Sequence, residues 1–555
     1  MSSFFQSGID SHKSLDYSNS SPNLVVSDLD SFYRNIYEYY YQKGYRNIIT
    51  QIILENTSFF FLVNFMFINT AVIDWFSLIK SCKNKSKCEL DLEFISYPSI
   101  NSVYENKIIY SLYFLCIVYC MVYLFKSFSF YLKMKKTREI YSNKLKLRKK
   151  DLENITFDKI MKKLISLQKN ENYCRVKDEI DKYDIISRIL RKENYLNGLI
   201  SNDVLHFTIT LPFLGTKDFY SNYIANNLNN CLLDFAFIEE HATINKKFLD
   251  TRQLQFRIIY FMILESIFIL PNFILKLLFW VFTNADDIKT NRNINQKIWT
   301  PTIKLKFKNY NELKHHFENR INQSYYCAEK FLSCFQEKFF SLLAKFLSLL
   351  FGSLMILILI LTLIDDSLLL DLKFMGKNLV WFTFVLGFAL SIKQGLSGNT
   401  DAEILKDNLD YMELSELKED LYKNVINKII NIPESWRVRQ NYSSKLQEMS
   451  KYYSYSISQL LTELLSVLLF PLFWLKLFFQ ASDIITFFKS YTMQLEGIGD
   501  VCSLSVLDRK TFLSLKGRKG GIEDGFAERK FINSYYYFEV SNIYNFVIKE
   551  IFNVY

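Results

Sequence analysis

Long apolar segments are the feature that most constrains how this chain can fold. A helix that crosses a bilayer needs roughly 20 mostly apolar residues, because the hydrocarbon core is about 30 Å thick. Four segments meet or approach that length, namely Ile53–Phe76, Ile108–Leu132, Leu342–Ile364 and the shorter Leu379–Ile392. They predict an all-α polytopic membrane protein with four transmembrane helices and a cytoplasmic helical layer between them.

Two further apolar blocks, Ile258–Phe282 and Ile457–Phe479, each carry a proline near the middle. Pro271 and Pro471 each remove a backbone donor and kink a helix, which shortens the distance that either block can span. When the blocks are aligned on the proline, both have a lysine five residues later and a carboxylate before it. From the prolines alone, each block is either a re-entrant membrane segment or an ordinary Pro-kinked span.

The distribution of Lys and Arg favours the re-entrant reading. Residues 133–257 carry 24 Lys and Arg, so the positive-inside rule places them in the cytoplasm. The N-terminus is then cytoplasmic, and Lys80–Lys107 is lumenal. If Ile258–Phe282 crossed the membrane, the basic stretch Thr283–Ser341 would be lumenal and the Asp-rich connector Asp365–Asp371 cytoplasmic, which is against the rule. Two segments that enter and leave on one face correct both assignments.

This topology divides the chain into alternating membrane and cytoplasmic regions. The first region is a polar Ser/Asn-rich tail, which we expect to be disordered. The predicted boundaries are 1–27 (tail), 28–132 (N-terminal helix and first two spans, with lumenal loop 77–107), 133–257 (cytoplasmic helices), 258–282 (re-entrant segment), 283–341 (cytoplasmic helices), 342–392 (third and fourth spans), 393–456 (cytoplasmic helices), 457–480 (re-entrant segment) and 481–555 (cytoplasmic C-terminal region).

The sequence carries no motif for nucleotide, hydrolytic or metal chemistry. It has no GxxxxGK(S/T) phosphate loop, no GxSxG elbow and no HExxH pair, which are the patterns those chemistries need. Its nine cysteines are scattered without a CxxC pair, so no zinc or redox framework is indicated. We therefore expect a protein that is not an enzyme, needs no cofactor and moves any membrane cargo downhill.

Several polar residues lie at predicted membrane depth. A charge there costs roughly 2.5–3.5 kcal/mol on insertion scales, so such residues tend to face cavities or partners. As a set they predict a hydrated path for lipid headgroups, although single residues have alternatives: hydrogen bonds to neighbouring helices or, for the lysines, snorkelling to the headgroup layer. The set is Glu55, Asn56, Asn64, Asn69, Glu265, Lys276, Glu463 and Lys476.

Five motifs, in this order and at this spacing, resemble the autophagy-related nine family of integral membrane proteins. The most recognisable is YNELKHHFENRINQSY, which lies in a cytoplasmic stretch. The motifs are LDSFYRNIYEYYYQKG (Leu29–Gly44), RILRKENYLNGLISNDVL (Arg188–Leu205), YNELKHHFENRINQSY (Tyr310–Tyr325), ELLSVLLFP (Glu463–Pro471) and GIGDVCSLSVLD (Gly497–Asp508).

The resemblance implies a homotrimeric phospholipid scramblase with four spans and two re-entrant segments. It places the protein in Golgi-derived or endosomal vesicles and the phagophore membrane. It also implies that its partners are the bilayer, copies of itself and autophagy factors that include a lipid-transfer protein. A basic cluster, here Lys289 and Arg292, is expected near the cytoplasmic mouth of the cavity. The alternative is a vesicle scaffold that seeds autophagosomes and recruits autophagy factors with little lipid transport.

The predicted topology can be tested at Asn84, which begins the glycosylation sequon Asn84-Lys85-Ser86. Because the loop is expected in the lumen, the chain expressed in its host membranes should carry one glycan there. Endoglycosidase should increase its mobility on a gel, and the Ser86→Ala variant should migrate like the treated protein. Protease protection that places this loop in the cytosol would contradict the topology.

Overall fold

The computed structural model describes residues 28–73, 107–171, 180–211, 215–238, 242–283, 297–335, 338–364, 368–374, 376–397, 411–433, 436, 442–506 and 526–538. These residues are predominantly helical, as predicted, and the strands among them form short antiparallel pairs. The predicted tail (1–27) and lumenal loop (77–106) lie outside them, as do Asn84, Lys289 and Arg292.

The helices follow one another with short connections. Those before residue 300 are Leu29–Tyr41, Tyr45–Phe67, Lys107–Glu139, Lys149–Asn154, Phe157–Glu171, Lys182–Ile189, Arg191–Ser201, Asn222–Leu228, Asp234–Ala236, Thr251–Ile267 and Ile269–Thr283, with π-helical turns at Ile68–Val72, Ile140–Lys144 and Asn229–Leu233. Those after it are Pro301–Phe307, Lys314–Ser333, Lys338–Ile364, Leu368–Asp371, Leu379–Ser397, Tyr411–Ile429, Tyr442–Tyr452, Ser456–Leu468, Phe470–Phe479, Ala481–Tyr491 and 526–538, with a 3-10 turn at Ser503–Ser505. The strand pairs are Thr208–Leu211 with Gly215–Asp218, Phe237–Ile238 with Thr243–Ile244, Lys297–Trp299 with Tyr453–Tyr455, Lys373–Phe374 with Lys377–Asn378, and Thr492–Leu495 with Gly499–Cys502.

Three helices of the described residues are long and apolar enough to cross a membrane: Tyr45–Ala71, Ile109–Lys144 and Phe346–Ile364. The fourth predicted span is the helix Leu379–Ser397, which packs along Lys338–Ile364 but does not pass the same test of length and composition. Counting each bent pair described below as a span would give up to five spans. The predicted number of four complete spans therefore stays a prediction.

The first span begins at Tyr45, well before the predicted start at Ile53. Its opening turns are not apolar enough to read as membrane, but Ile48 and Ile52 are buried in the core around the N-terminal helix. Packing on that core therefore extends the helix beyond its apolar stretch. The preceding Gly44 has a φ of 103°, which favours glycine and lets the chain turn between the two helices.

Both proline-containing blocks are sharply bent helix pairs. In the first bent pair, Thr251–Ile267 and Ile269–Thr283 meet at 60°. In the second bent pair, Ser456–Leu468 and Phe470–Phe479 meet at 67°. The bends confirm that neither block is one straight helix. By length and composition each pair fits a broken span or a re-entrant loop, so re-entrance stays a prediction.

The prolines do not lie at the breaks, contrary to the sequence-based expectation that they are the kinks. The helices are interrupted at Phe268 and at Leu469, and each proline follows its break by two or three residues. Pro271 and Pro471 therefore lie in the first turn of the second helix, where the missing N–H has no helical partner to lose and the fixed φ suits the helix. Each proline starts a new helix and does not kink an existing one.

The chain divides into two compact units. The first comprises Met1–Thr283, Asn309–Leu313 and Thr462–Tyr555, and the second comprises Asn284–Lys308 and Lys314–Leu461. Both bent pairs, apart from the first turns of Ser456–Leu468, lie in the first unit, so its core decides how these pairs are held.

A buried ion cluster joins three distant segments of the first unit. The Nε of Arg191 donates to Oδ2 of Asp30 at 2.6 Å, and Nη1 of Arg188 donates to Oδ1 at 3.0 Å. Both arginines also donate to backbone carbonyls of the turn Gly497–Asp500. Their side chains are almost fully buried, so the carboxylate and carbonyls replace the water that the guanidinium groups lose on folding.

The helix 526–538 contributes a second buried cation to this core. Lys530 is fully buried and donates to Oγ of Ser201 at 2.8 Å and to Oδ1 of Asn197. One turn later, Oγ of Ser534 accepts a hydrogen bond from the backbone N–H of Tyr310 at 3.1 Å. This helix is therefore part of the core of the first unit.

The second unit has its own aromatic core. The fully buried Trp299 lies with its ring 4.6 Å from that of Tyr453, which belongs to the paired strand. Arg320, on the helix Lys314–Ser333, donates to the carbonyls of Phe307 at 3.0 Å and Ile429 at 2.6 Å. Arg320 therefore acts as a structural cross-link within this unit.

The Asp30→Asn variant tests the buried cluster. It leaves two guanidinium groups without their carboxylate, so we expect the free energy of unfolding to fall by about 3–5 kcal/mol. The measurement is the midpoint of thermal unfolding in detergent. The control is Arg148→Gln, which removes a highly exposed arginine from its ion pair with Asp151 and should cost less than about 1 kcal/mol. Equal shifts in the two variants would contradict a central role for the cluster.

Candidate functional site

The two bent pairs pack against one another and bring predicted membrane charges together. Nε2 of Gln255, on the first helix of the first pair, donates to the carbonyl of Phe478, on the second helix of the second pair, at 3.3 Å. Nζ of Lys276 donates to Oε1 of Glu463 at 2.7 Å. The lysine of one pair therefore binds the carboxylate of the other.

Tyr223 connects this ion pair to the third predicted charge. Its hydroxyl donates to Oε2 of Glu265 at 2.8 Å, and the Nζ of Lys276 lies 4.9 Å from the centre of its ring. Tyr223, Glu265, Lys276 and Glu463 thus form one connected group, which we call the polar cluster. The sequence analysis missed Tyr223, because it lies outside the apolar blocks and no local pattern places it beside them.

The position of Tyr223 is fixed by the start of its own helix. Ser221 caps the helix Asn222–Leu228 and its Oγ lies 2.6 Å from that of Ser466, on the second bent pair. The ring of Tyr223 also packs edge-on against Phe470, with centroids 5.6 Å apart. Both contacts hold the helix start against the break in the second bent pair.

The polar cluster is partly open and lies beside apolar surface. The side chains of Lys276 and Glu463 are 30% and 34% exposed, so the ion pair itself contributes at most about 1 kcal/mol to stability. Around the two breaks the large apolar side chains of Ile267, Leu270 and Leu472 are exposed. Charged groups and apolar surface therefore meet at one place, as the surface of a bilayer requires.

A further lysine faces the cluster from the second span. Lys126 lies within electrostatic range of the carboxylates of Glu265 and Asp234. Asp234 in turn accepts a hydrogen bond from Nζ of Lys192 at 2.6 Å. Positive and negative side chains therefore alternate from Lys192 to Glu463.

The first span uses its polar residues differently. Oε2 of Glu55 accepts a hydrogen bond from Tyr123 at 3.0 Å, and Oδ1 of Asn64 accepts one from Tyr113 at 3.2 Å. Oδ1 of Asn56 likewise accepts from a hydroxyl on the second span, at 3.4 Å. The helix Lys107–Glu139 provides all three donors. These contacts favour the alternative in which the residues join neighbouring helices, and they do not line the polar cluster.

The remaining predicted residues lie apart from the polar cluster. The amide of Asn69 donates to the carbonyl of Phe65 on its own helix at 2.7 Å. Lys476 is partly exposed, and among the described residues no side chain accepts a hydrogen bond or forms an ion pair with it. The two aligned motifs are therefore not equivalent, since only Lys276 pairs with a carboxylate of the other motif. The described residues also contain no group of His, Cys, Asp and Glu that could hold a metal ion.

Comparison with known proteins gives one family throughout. The family model described as "Autophagy protein ATG9" matches residues 22–508. Among curated proteins, Autophagy-related protein 9 of Dictyostelium discoideum is 27% identical over 493 residues, covering 86% of this chain and 67% of that protein. The Arabidopsis thaliana protein of the same name is 26% identical, covering 86% of this chain and 56% of that protein.

A solved structure has the same fold. The cryo-EM structure of Schizosaccharomyces pombe Atg9 aligns with a TM-score of 0.61 and 23% sequence identity, covering 87% of this chain and 99% of that one. The chain spans about half to two thirds of the length of the curated relatives above. Because the family model matches most of the sequence, and the motifs it contains are joined in one core, this chain belongs to the Atg9 family of autophagy proteins.

Proposed function

We propose that the protein is an ATP-independent phospholipid scramblase that acts in the formation and expansion of the autophagosome membrane. The observation that carries the proposal is the polar cluster, in which Lys276, Glu463 and Glu265 from two bent apolar pairs meet around Tyr223. Family membership supplies the autophagy context. The lipid transport itself is our inference from the cluster.

The barrier to lipid exchange is the loss of water from the headgroup. Polar side chains at membrane depth replace part of that water, while exposed apolar side chains beside them keep the acyl chains in hydrocarbon. The polar cluster offers both within one site. Such a site needs no chemical step and no cofactor, which agrees with the absence of nucleotide and catalytic motifs in the sequence.

The proposal includes the assembly and setting implied by the family resemblance. We infer a homotrimer with four spans, two re-entrant segments and both termini in the cytoplasm. It would reside in Golgi-derived or endosomal vesicles and the phagophore membrane. Its partners would be the phospholipid bilayer and autophagy factors, among them a lipid-transfer protein that delivers lipid to one leaflet.

Reconstitution of the full chain tests transport. Vesicles that contain a fluorescent phospholipid are treated with dithionite, which bleaches only the outer leaflet. Without nucleotide, we expect the protein to carry bleaching well beyond the half that protein-free vesicles lose. Bleaching that stops near half would contradict the scramblase and support the alternative, a scaffold that seeds autophagosomes and recruits factors.

Replacing the ion pair tests the site. We expect the double variant Lys276→Leu/Glu463→Leu to scramble about tenfold more slowly, since losing about 1.4 kcal/mol of headgroup stabilisation changes a rate by that factor. The matched control is Lys423→Leu/Glu419→Leu, which removes an exposed ion pair on the helix Tyr411–Ile429 and should leave the rate unchanged. An unchanged rate in the first variant would mean that lipids follow another path.

A further inference from the structure

The polar cluster contains the groups that a zwitterionic phospholipid headgroup needs. Such a headgroup carries one phosphate anion and one ammonium cation, joined by a short linker. The cluster offers one ammonium, on Lys276, and one carboxylate, on Glu463, that are in contact at 2.7 Å. It also offers an aromatic ring, on Tyr223, whose face already holds a cation 4.9 Å from its centre.

We propose that the polar cluster binds the headgroup of a zwitterionic phospholipid such as phosphatidylcholine. Lys276 takes the phosphate, and the Tyr223 ring together with the Glu463 carboxylate takes the ammonium. The assignment rests on the proposed function in one respect, namely that the ligand is a membrane lipid.

Exchange of ion pairs makes this binding possible. The Lys276–Glu463 pair is about one third exposed on both sides, so it is easily opened. When a headgroup enters, one ion pair within the protein is replaced by two between protein and lipid. Phosphatidylglycerol has the phosphate but lacks the ammonium, so it satisfies Lys276 and leaves Glu463 close to a second negative charge.

The ring of Tyr223 adds discrimination by the same logic. Aromatic faces attract quaternary ammonium groups, as in known choline sites. In the present structure the ammonium of Lys276 occupies the face of the ring, and the ammonium of the lipid takes its place once Lys276 turns to the phosphate. The hydrogen bond from the Tyr223 hydroxyl to Glu265 fixes the orientation of the ring.

The surroundings fit a lipid better than a soluble ligand. The exposed side chains of Ile267, Leu270 and Leu472 lie near the breaks that border the cluster, and they offer apolar surface to acyl chains. A free phosphocholine molecule would fill the charged part of the site and leave this surface bare. Lipid and free headgroup should therefore differ in affinity.

Binding to the full chain in a maltoside detergent tests the proposal without any transport. We titrate with dihexanoyl-phosphatidylcholine, dihexanoyl-phosphatidylglycerol and free phosphocholine, and measure affinity by calorimetry. We expect phosphatidylcholine to bind about fivefold or more tighter than phosphatidylglycerol, a ratio in the range of a cation–π contact. Equal affinities for these two lipids would overturn the site. Free phosphocholine binding as tightly as the lipid would overturn its assignment to a lipid.

Two variants separate recognition from damage to the fold. Glu463→Gln removes the carboxylate at constant shape, so phosphatidylcholine should bind more weakly and phosphatidylglycerol more tightly. Tyr223→Leu should weaken phosphatidylcholine binding alone. The control is Tyr260→Leu, an exposed tyrosine on the same helix as Glu265, for which both affinities should stay as in the unaltered protein. A parallel loss of both lipids in Glu463→Gln would show a merely structural ion pair.

The same variants in vesicles distinguish the two proposals. If the protein binds phosphatidylcholine selectively but bleaching stops near half, the scramblase fails and the headgroup site stands. If scrambling proceeds and Glu463→Gln changes the rates of phosphatidylcholine and phosphatidylglycerol by the same factor, the scramblase stands and the site as assigned here is wrong.

Discussion

The fold of the first unit depends on two buried arginines that share one carboxylate. Arg188 and Arg191 follow one another on neighbouring helix turns, and Asp30 and the turn Gly497–Asp500 come to them from opposite ends of the chain. A guanidinium group that loses its water must find such partners, so the three segments are held in one arrangement. The adjacent Lys192 binds Asp234, which continues this arrangement toward the polar cluster.

Sequence alone located the bent pairs and the charges on them, because an apolar block interrupted by proline is a local signal. It could not pair the charges. Lys276 aligns with Lys476 in sequence, yet only Lys276 meets a carboxylate of the other pair, since pairing depends on how two remote helices cross. Tyr223 was missed for the same reason. It comes from a cytoplasmic-type sequence and reaches the site only through the contact of Ser221 with Ser466.

The first span shows a different limit of sequence reasoning. Glu55, Asn56 and Asn64 look like a polar stripe, which is equally typical of a hydrated path and of a helix contact. Tyr and Ser residues on the second span provide their hydrogen-bond partners, and these amphipathic side chains are counted as nearly neutral in a search for apolar segments. The distinction therefore needed the partner helix. Helix bounds were predicted least well where packing, as at Ile48, extended a helix beyond its apolar part.

The position of Lys530 has a consequence for how fragments of this protein should be designed. The family model ends at residue 508, whereas the helix 526–538 places a fully buried ammonium against Asn197 and Ser201 inside the shared core. A chain trimmed to the family boundary would lose these bonds and open a polar hole beneath Tyr310. The conserved-length portion is thus not a self-sufficient folding module here, and a stable excised version has to retain the segment that closes it.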